Sequence, residues 1–142
     1  MPIDLSMINW LAVIVAALAT FFLGAVWYMA LFGKLWQRLQ GISDEKKKQM
    51  QAARPPHIFF GTMIGAYLLL AFTMAVIVDA FSISHASAGA TLGFFMWLGC
   101  CMAIGLTGWI SSDKHAGVYA IDLAYQLVYM VMMGAIIGGW RS

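Results

Sequence analysis

Four apolar runs dominate this chain, at about residues 8–32, 57–81, 88–110 and 118–140. Each is long enough, at 1.5 Å rise per residue, to cross roughly 30 Å of hydrocarbon as a helix. A soluble domain carries about 25% charged residues, whereas here only 10% are charged and 63% are hydrophobic. The mean hydropathy of +0.84 points the same way. The expected fold class is therefore an all-α membrane protein. It is a four-helix transmembrane bundle, one domain over 1–142, with a short cytoplasmic helical segment at 33–56 between spans 1 and 2. The first run reads as a retained span. The leader before it has no Lys or Arg and carries Asp4, and Trp27, Tyr28 and Phe32 stand where a signal cleavage site would need small residues.

The segment 33–56 holds eight of the fourteen charged side chains: Lys34, Arg38, Asp44, Glu45, Lys46, Lys47, Lys48 and Arg54. With four spans, it shares one side with the 111–117 link and Lys114. Of the basic residues, only Arg141 falls on the other side. Positive loops stay cytoplasmic, so both termini are expected outside, which in a bacterial inner membrane means periplasmic. Residues 34–40 can continue the first helix, and Gly41 is a plausible stop. Ser43 suits an N-cap, with Asp44 and Glu45 in a favourable first turn. Pro55-Pro56 ends that short helix and opens the second span, where proline is tolerated.

Ala12, Ala16, Thr20 and Gly24 recur every four residues and form a small-residue stripe on the first span, extended by Asn9 and Tyr28. Val13, Leu18, Phe21, Phe22 and Val26 make up its other face, expected to meet lipid. Gly61 and Gly65, Gly89 and Gly93, and Gly134 and Gly138 repeat the four-residue spacing in the remaining spans. Small residues at this spacing let membrane helices approach closely. A compact bundle follows, with surface left for self-association.

The fourth span is the most polar. Asp122, Gln126 and Tyr129 fall at i, i+4 and i+7 on one helical face, flanked by Tyr125. A carboxylate inside a span is costly and usually faces protein or water. Two readings stand. In one, these residues line an inner cavity that binds a polar group or relays a proton, with Asn9 and Tyr28 completing a ligand-binding set. In the other, Asp122 caps the start of the fourth helix and Gln126 makes an interhelical hydrogen bond. Lys46, Lys47 and Lys48 are either a solvated run that orients the chain or a lipid-binding patch for anionic headgroups.

Other chemistries lack their residues. No nucleophile elbow or phosphate-binding glycine loop is present. No lysine lies in a span, which excludes a retinal-type Schiff base, and the periodic arginines of a voltage sensor are missing. Cys100 and Cys101 are adjacent, so they cannot form an ordinary disulfide with each other, and they read as packing residues. His57, Asp113 and His115 share a depth with Asp122, but their spacing is not that of a metal site. The expectation is therefore no catalytic residue, no metal and no cofactor, and no nucleic-acid partner.

Asn9-Trp10-Leu11-Ala12-Val13, Leu23-Gly24-Ala25-Val26-Trp27-Tyr28, and Leu31-Phe32-Gly33-Lys34 followed by Trp36 give the chain a recognisable signature. With the acidic-basic segment after Gly41 and, more loosely, Tyr119 to Trp140, it resembles a family of small bacterial membrane proteins known as domain of unknown function 1761. That resemblance implies four spans and carries no activity, cofactor or catalytic residue. The function expected from the residues is a non-enzymatic, multi-pass inner-membrane homo-oligomer that binds or passes a small solute. The alternatives are an accessory protein that binds anionic lipid or a partner protein through 33–56, and an intramembrane metal- or quinone-binding protein.

Overall fold

The computed structural model describes residues 3–140. Arg141, which enters the charge count above, lies outside the described residues. Among them the structure is helical, with four helices long and apolar enough to cross a membrane. These are α1 (Trp10–Leu31), α4 (Pro56–Ala80), α5 (Ala86–Ile110) and α6 (Ala116–Gly139). Two short helices, α2 (Gly33–Gln40) and α3 (Asp44–Ala53), fill the segment between the first two.

Local chemistry sets the boundaries as the sequence foretells. Gly41 adopts a left-handed φ of 71° and ends α2. The Ser43 hydroxyl accepts the Lys46 N–H at 3.1 Å and caps α3. Pro56 occupies the first turn of α4, where its missing N–H leaves no bond unmade. The junction of α1 and α2 differs from expectation. The first helix does not run on, because it widens into a π turn at Val26–Leu31 and breaks at Phe32. Phe32 N–H closes that turn onto the Trp27 carbonyl at 2.8 Å. Gly33 then lies so close that a β-carbon there would stand 1.8 Å from the Tyr28 carbonyl oxygen. Only glycine lets the chain fold back at this point.

The helices run up and down, and α6 is the most buried of the four spans. Its C-terminal half packs backbone to backbone on α5. A β-carbon on Gly89 would stand 1.9 Å from the Gly134 carbonyl oxygen, and one on Gly93 would stand 2.1 Å from that of Met130. The spaced glycines of these two spans therefore meet each other, as close small-residue packing requires. Ala12, Ala16 and Thr20 of α1 are fully buried among Ala71, Met74 and Val78 of α4 and Met130 and Met133 of α6. Val13, expected on the lipid face, is only 3% exposed. The buried arc of α1 is broader than one stripe because the helix packs against both α4 and α6. Leu18, Phe22 and Val26 do face outward. Gly61 and Gly65 repeat the spacing yet have nothing within 4 Å.

Threonines within the spans return their hydroxyls to their own helix, as Thr73 does to the Leu69 carbonyl at 2.9 Å. No buried side-chain nitrogen or oxygen among the described residues is left without a partner.

The glycine contacts yield a test. Overpacking a tight contact costs about 1–3 kcal/mol. Gly134→Val should lower the midpoint of thermal unfolding in detergent by roughly 5 °C or more. Gly65→Ala, which enters open space, should shift it by no more than about 2 °C. Equal effects of the two substitutions would refute the packing described.

Candidate functional site

Asp122 sits in the second turn of α6, about 9 Å along the axis from its start. It is not the helix cap. That role falls to His115, whose Nδ1 accepts the Gly117 N–H at 2.9 Å. The helix begins at Ala116, well over one turn before the aspartate, so the capping interpretation does not hold. The carboxylate instead receives the Tyr28 hydroxyl at 2.5 Å and the Trp36 indole N–H at 3.0 Å. Both donors end on Oδ1. Thus α1, α2 and α6 converge on one oxygen.

The backbone makes this convergence possible. A π turn rotates less per residue than an α turn, so Trp27 and Tyr28 both stay on the α6 side of α1. Trp27 donates its indole N–H to the Ile121 carbonyl at 3.3 Å. A second π turn, Trp97–Met102 in α5, holds Trp97, which donates to the Leu123 carbonyl at 2.9 Å. Two tryptophans from two wide turns therefore grip the backbone of α6 on either side of Asp122. The break at Gly33 then brings α2 back beneath the bundle, with Trp36 aimed at the same carboxylate. Lys114 Nζ donates to Gln40 Oε1 at 3.1 Å and ties α2 to the start of α6.

One turn deeper, the Tyr125 hydroxyl donates to the Thr20 carbonyl at 2.8 Å and lies 2.9 Å from the Tyr67 hydroxyl. The Tyr125 and Tyr129 rings meet edge to face at 4.9 Å, Tyr28 and Tyr125 at 5.4 Å, and Tyr67 and Tyr129 at 5.8 Å. These rings and Asp122 bound a cleft of about 580 Å³ between α1, α4 and α6. Gln126 also lines it, and no hydrogen bond among the described residues occupies its amide. An outer groove of about 790 Å³ lies beside the cleft, under α2 and α3. The two share Trp36, Gln37, Phe59 and Phe60 as a wall, and Lys47 and Arg54 line the outer one.

The structure therefore brings Asp122, Gln126, Tyr129 and Tyr28 into one cleft. It does not bring Asn9 there. Asn9 lies at the other end of the bundle, where it caps α1 through the Ala12 N–H at 3.1 Å and donates to the Trp140 carbonyl at 2.8 Å. Of the three lysines, Lys47 reaches the outer groove, and Lys46 and Lys48 are exposed on α3. No group of three or more His, Cys, Asp and Glu side chains among the described residues is placed to hold a metal ion. Sequence reasoning missed Tyr67 and the donor role of Trp36. A hydroxyl in the middle of an otherwise apolar span was the available signal for Tyr67.

A family model described as protein of unknown function (DUF1761) matches residues 11–138, most of the chain. Neither the comparison with curated proteins nor that with solved structures found a match.

The Trp36 bond to Asp122 holds α2 against the bundle. Hydrogen bonds between membrane helices contribute from about 0.6 to 1.7 kcal/mol each, and one or two kcal/mol changes an opening equilibrium 5- to 30-fold. Asp122→Leu should therefore raise tryptic cleavage at Lys34 and Arg38 by roughly that factor. Cleavage after Lys46–Lys48, on α3, which makes no bond to Asp122, should barely change. Asp122→Asn keeps an acceptor oxygen and should fall between. Unchanged cleavage at Lys34 and Arg38 in Asp122→Leu would contradict the tether.

Proposed function

The chain belongs to the DUF1761 family of unknown function, and we propose that it is a non-enzymatic, self-associating membrane protein that binds or passes a small, largely apolar solute in the cleft between α1, α4 and α6. The observation that carries this reading is the cleft itself. Its volume of about 580 Å³ falls within the 300–1,000 Å³ of small-molecule sites. Its walls are mostly apolar and aromatic, with a few converging polar groups: Asp122, Gln126 and the Tyr67 and Tyr129 hydroxyls. That composition, an apolar space with a few polar groups able to orient an occupant, suits holding a ligand. Self-association is supported by α5, the least buried of the four spans. The Gly61 and Gly65 face of α4, open to close approach, supports it too.

A neutral photoreactive phenyl-diazirine, applied to the protein in native membranes, tests the cleft. Saturable labelling of Met63, Tyr67 or Tyr129 is expected, and Ala25→Trp, which fills the cleft, should reduce it roughly tenfold, the loss of most of the contact area. Labelling confined to outward residues such as Leu69, or indifferent to Ala25→Trp, would overturn the reading. Amine crosslinking in the same membranes should give a discrete band above the monomer, and monomer alone would remove self-association.

A second reading rests on Lys47 and Arg54, which face the outer groove together. An anionic lipid headgroup there would gain about 1 kcal/mol per basic residue near the surface. It also requires this end of the bundle to be cytoplasmic in a bacterial inner membrane, with both termini outside, as the bias of positive charge supports. Lys47→Gln with Arg54→Gln should cut co-purified anionic lipid several-fold, on the order of the two residues' contribution. With Cys100 and Cys101 replaced by Ser, Lys47→Cys should react with a membrane-impermeant thiol reagent in inside-out vesicles and not in intact cells. Unchanged lipid content, or labelling in intact cells, would sink this reading.

A further inference from the structure

We propose that the ligand of the inner cleft is a lipophilic monovalent cation: an aromatic or branched apolar body around an ammonium-like charge. This rests on the cleft being a binding site and adds the class of molecule it takes.

The charge pattern of the two cavities carries the inference. The inner cleft contains a carboxylate, Asp122, and none of its lining residues is Lys, Arg or His. The outer groove beside it holds the opposite charge, on Lys47 and Arg54. Lys114 is close enough to act on Asp122 electrostatically, but its ammonium donates to Gln40 Oε1 and it does not line the cleft. The chain thus keeps its cations out of the cleft while holding a carboxylate within it. Tyr28 and Trp36 bind only Oδ1, and no other donor among the described residues reaches the carboxylate. An incoming cation would meet the remaining acceptor capacity of that group.

The walls agree with the charge. Tyr28, Tyr67, Tyr125, Tyr129 and Trp36 all border the space. Their edge-to-face contacts, at 4.9 to 5.8 Å, fix the rings relative to one another. Aromatic faces carry the negative end of the ring quadrupole and attract cations, most of all where water is excluded. The Tyr125 hydroxyl is already engaged by Thr20 and Tyr67, which leaves its ring, not its oxygen, for a ligand. An anion would meet repulsion from Asp122 with no basic residue to offset it. A neutral ligand would gain nothing from Asp122's charge, which Tyr28 and Trp36 meet through Oδ1 alone. A cation with an apolar body satisfies both the charge and the rings.

Tetraphenylphosphonium and tetraphenylborate are near-isosteric ions of opposite charge and separate these terms. The full chain in zwitterionic-lipid nanodiscs, dialysed against each ion with protein-free nanodiscs subtracted, should bind the phosphonium saturably and at least about tenfold more tightly than the borate. Asp122→Asn should weaken the phosphonium by roughly tenfold and narrow the gap. Tyr129→Leu leaves the carboxylate in place, removes a ring face, and should weaken it about threefold or more. That second variant keeps the test valid if Asp122→Asn fails to fold. Borate bound as tightly as phosphonium would overturn the cation inference while leaving the cleft a binding site. So would failure of both ions to saturate while the neutral diazirine still labels the cleft. Failure of both ions together with an unlabelled cleft would overturn both proposals.

Discussion

A half-buried carboxylate in the second turn of a long apolar helix needs donors from its own chain, and much of this fold is arranged around that need. A charged side chain shielded from water is costly unless it is paired or hydrogen-bonded. Asp122 obtains one donor from α1 and one from α2. Each depends on a departure from regular helix. The π turn at Val26–Leu31 keeps Tyr28 facing α6, and the glycine at position 33 lets the chain reverse tightly enough for Trp36 to return. π turns inside α-helices are rare and concentrate at functional sites. Here two of them supply the indoles that clasp α6 around the aspartate.

Much of the architecture was legible in the sequence because it rests on local or periodic chemistry. The four spans follow from length and hydropathy. Gly41, Ser43 and Pro56 announce their turn and caps, since each acts through its own backbone geometry. That Gly89 and Gly93 sit at a close helix contact agrees with their spacing, though not that the partner is α6. Gly61 and Gly65 show the limit of that signal. Their spacing is the same, but a small-residue pattern states only that close approach is permitted and not which helix arrives. Val13 shows the complementary limit. A stripe read from one helix underestimates burial when two neighbours pack against it.

The site was legible in part, for a related reason. Asp122, Gln126 and Tyr129 stand out because a polar face on an apolar helix is visible in one segment. Tyr67 and Trp36 come from segments far away in sequence, and their roles exist only through contacts that span 58 and 86 positions. The capping interpretation of Asp122 failed because the helix starts at Ala116, under a His115 cap, earlier than the apolar run suggests. Asn9 was grouped with the site because it extends the stripe of α1, but a stripe runs the whole length of the membrane. The same helix face that meets Asp122 at Tyr28 meets the Trp140 carbonyl at Asn9.

The cleft itself is a consequence of side-chain size along α1 and α4. In the half of the bundle that holds the termini the two helices meet through Ala12, Ala16, Ala71 and Ala75, all buried. Small residues bring the axes close, and dispersion across that contact holds the pair. Toward the other end the facing side chains become Phe21, Tyr28, Phe60 and Tyr67, with Phe21 and Phe60 in edge contact at 5.8 Å. Helices packed through alanine at one end and through rings at the other must diverge. The buried residues of α4 accordingly all lie from Tyr67 onward, and the turns before it stand away from the core. The gap is therefore not a packing defect. The alanine and glycine contacts secure the half of the bundle that holds the termini, and the larger rings keep the other half apart.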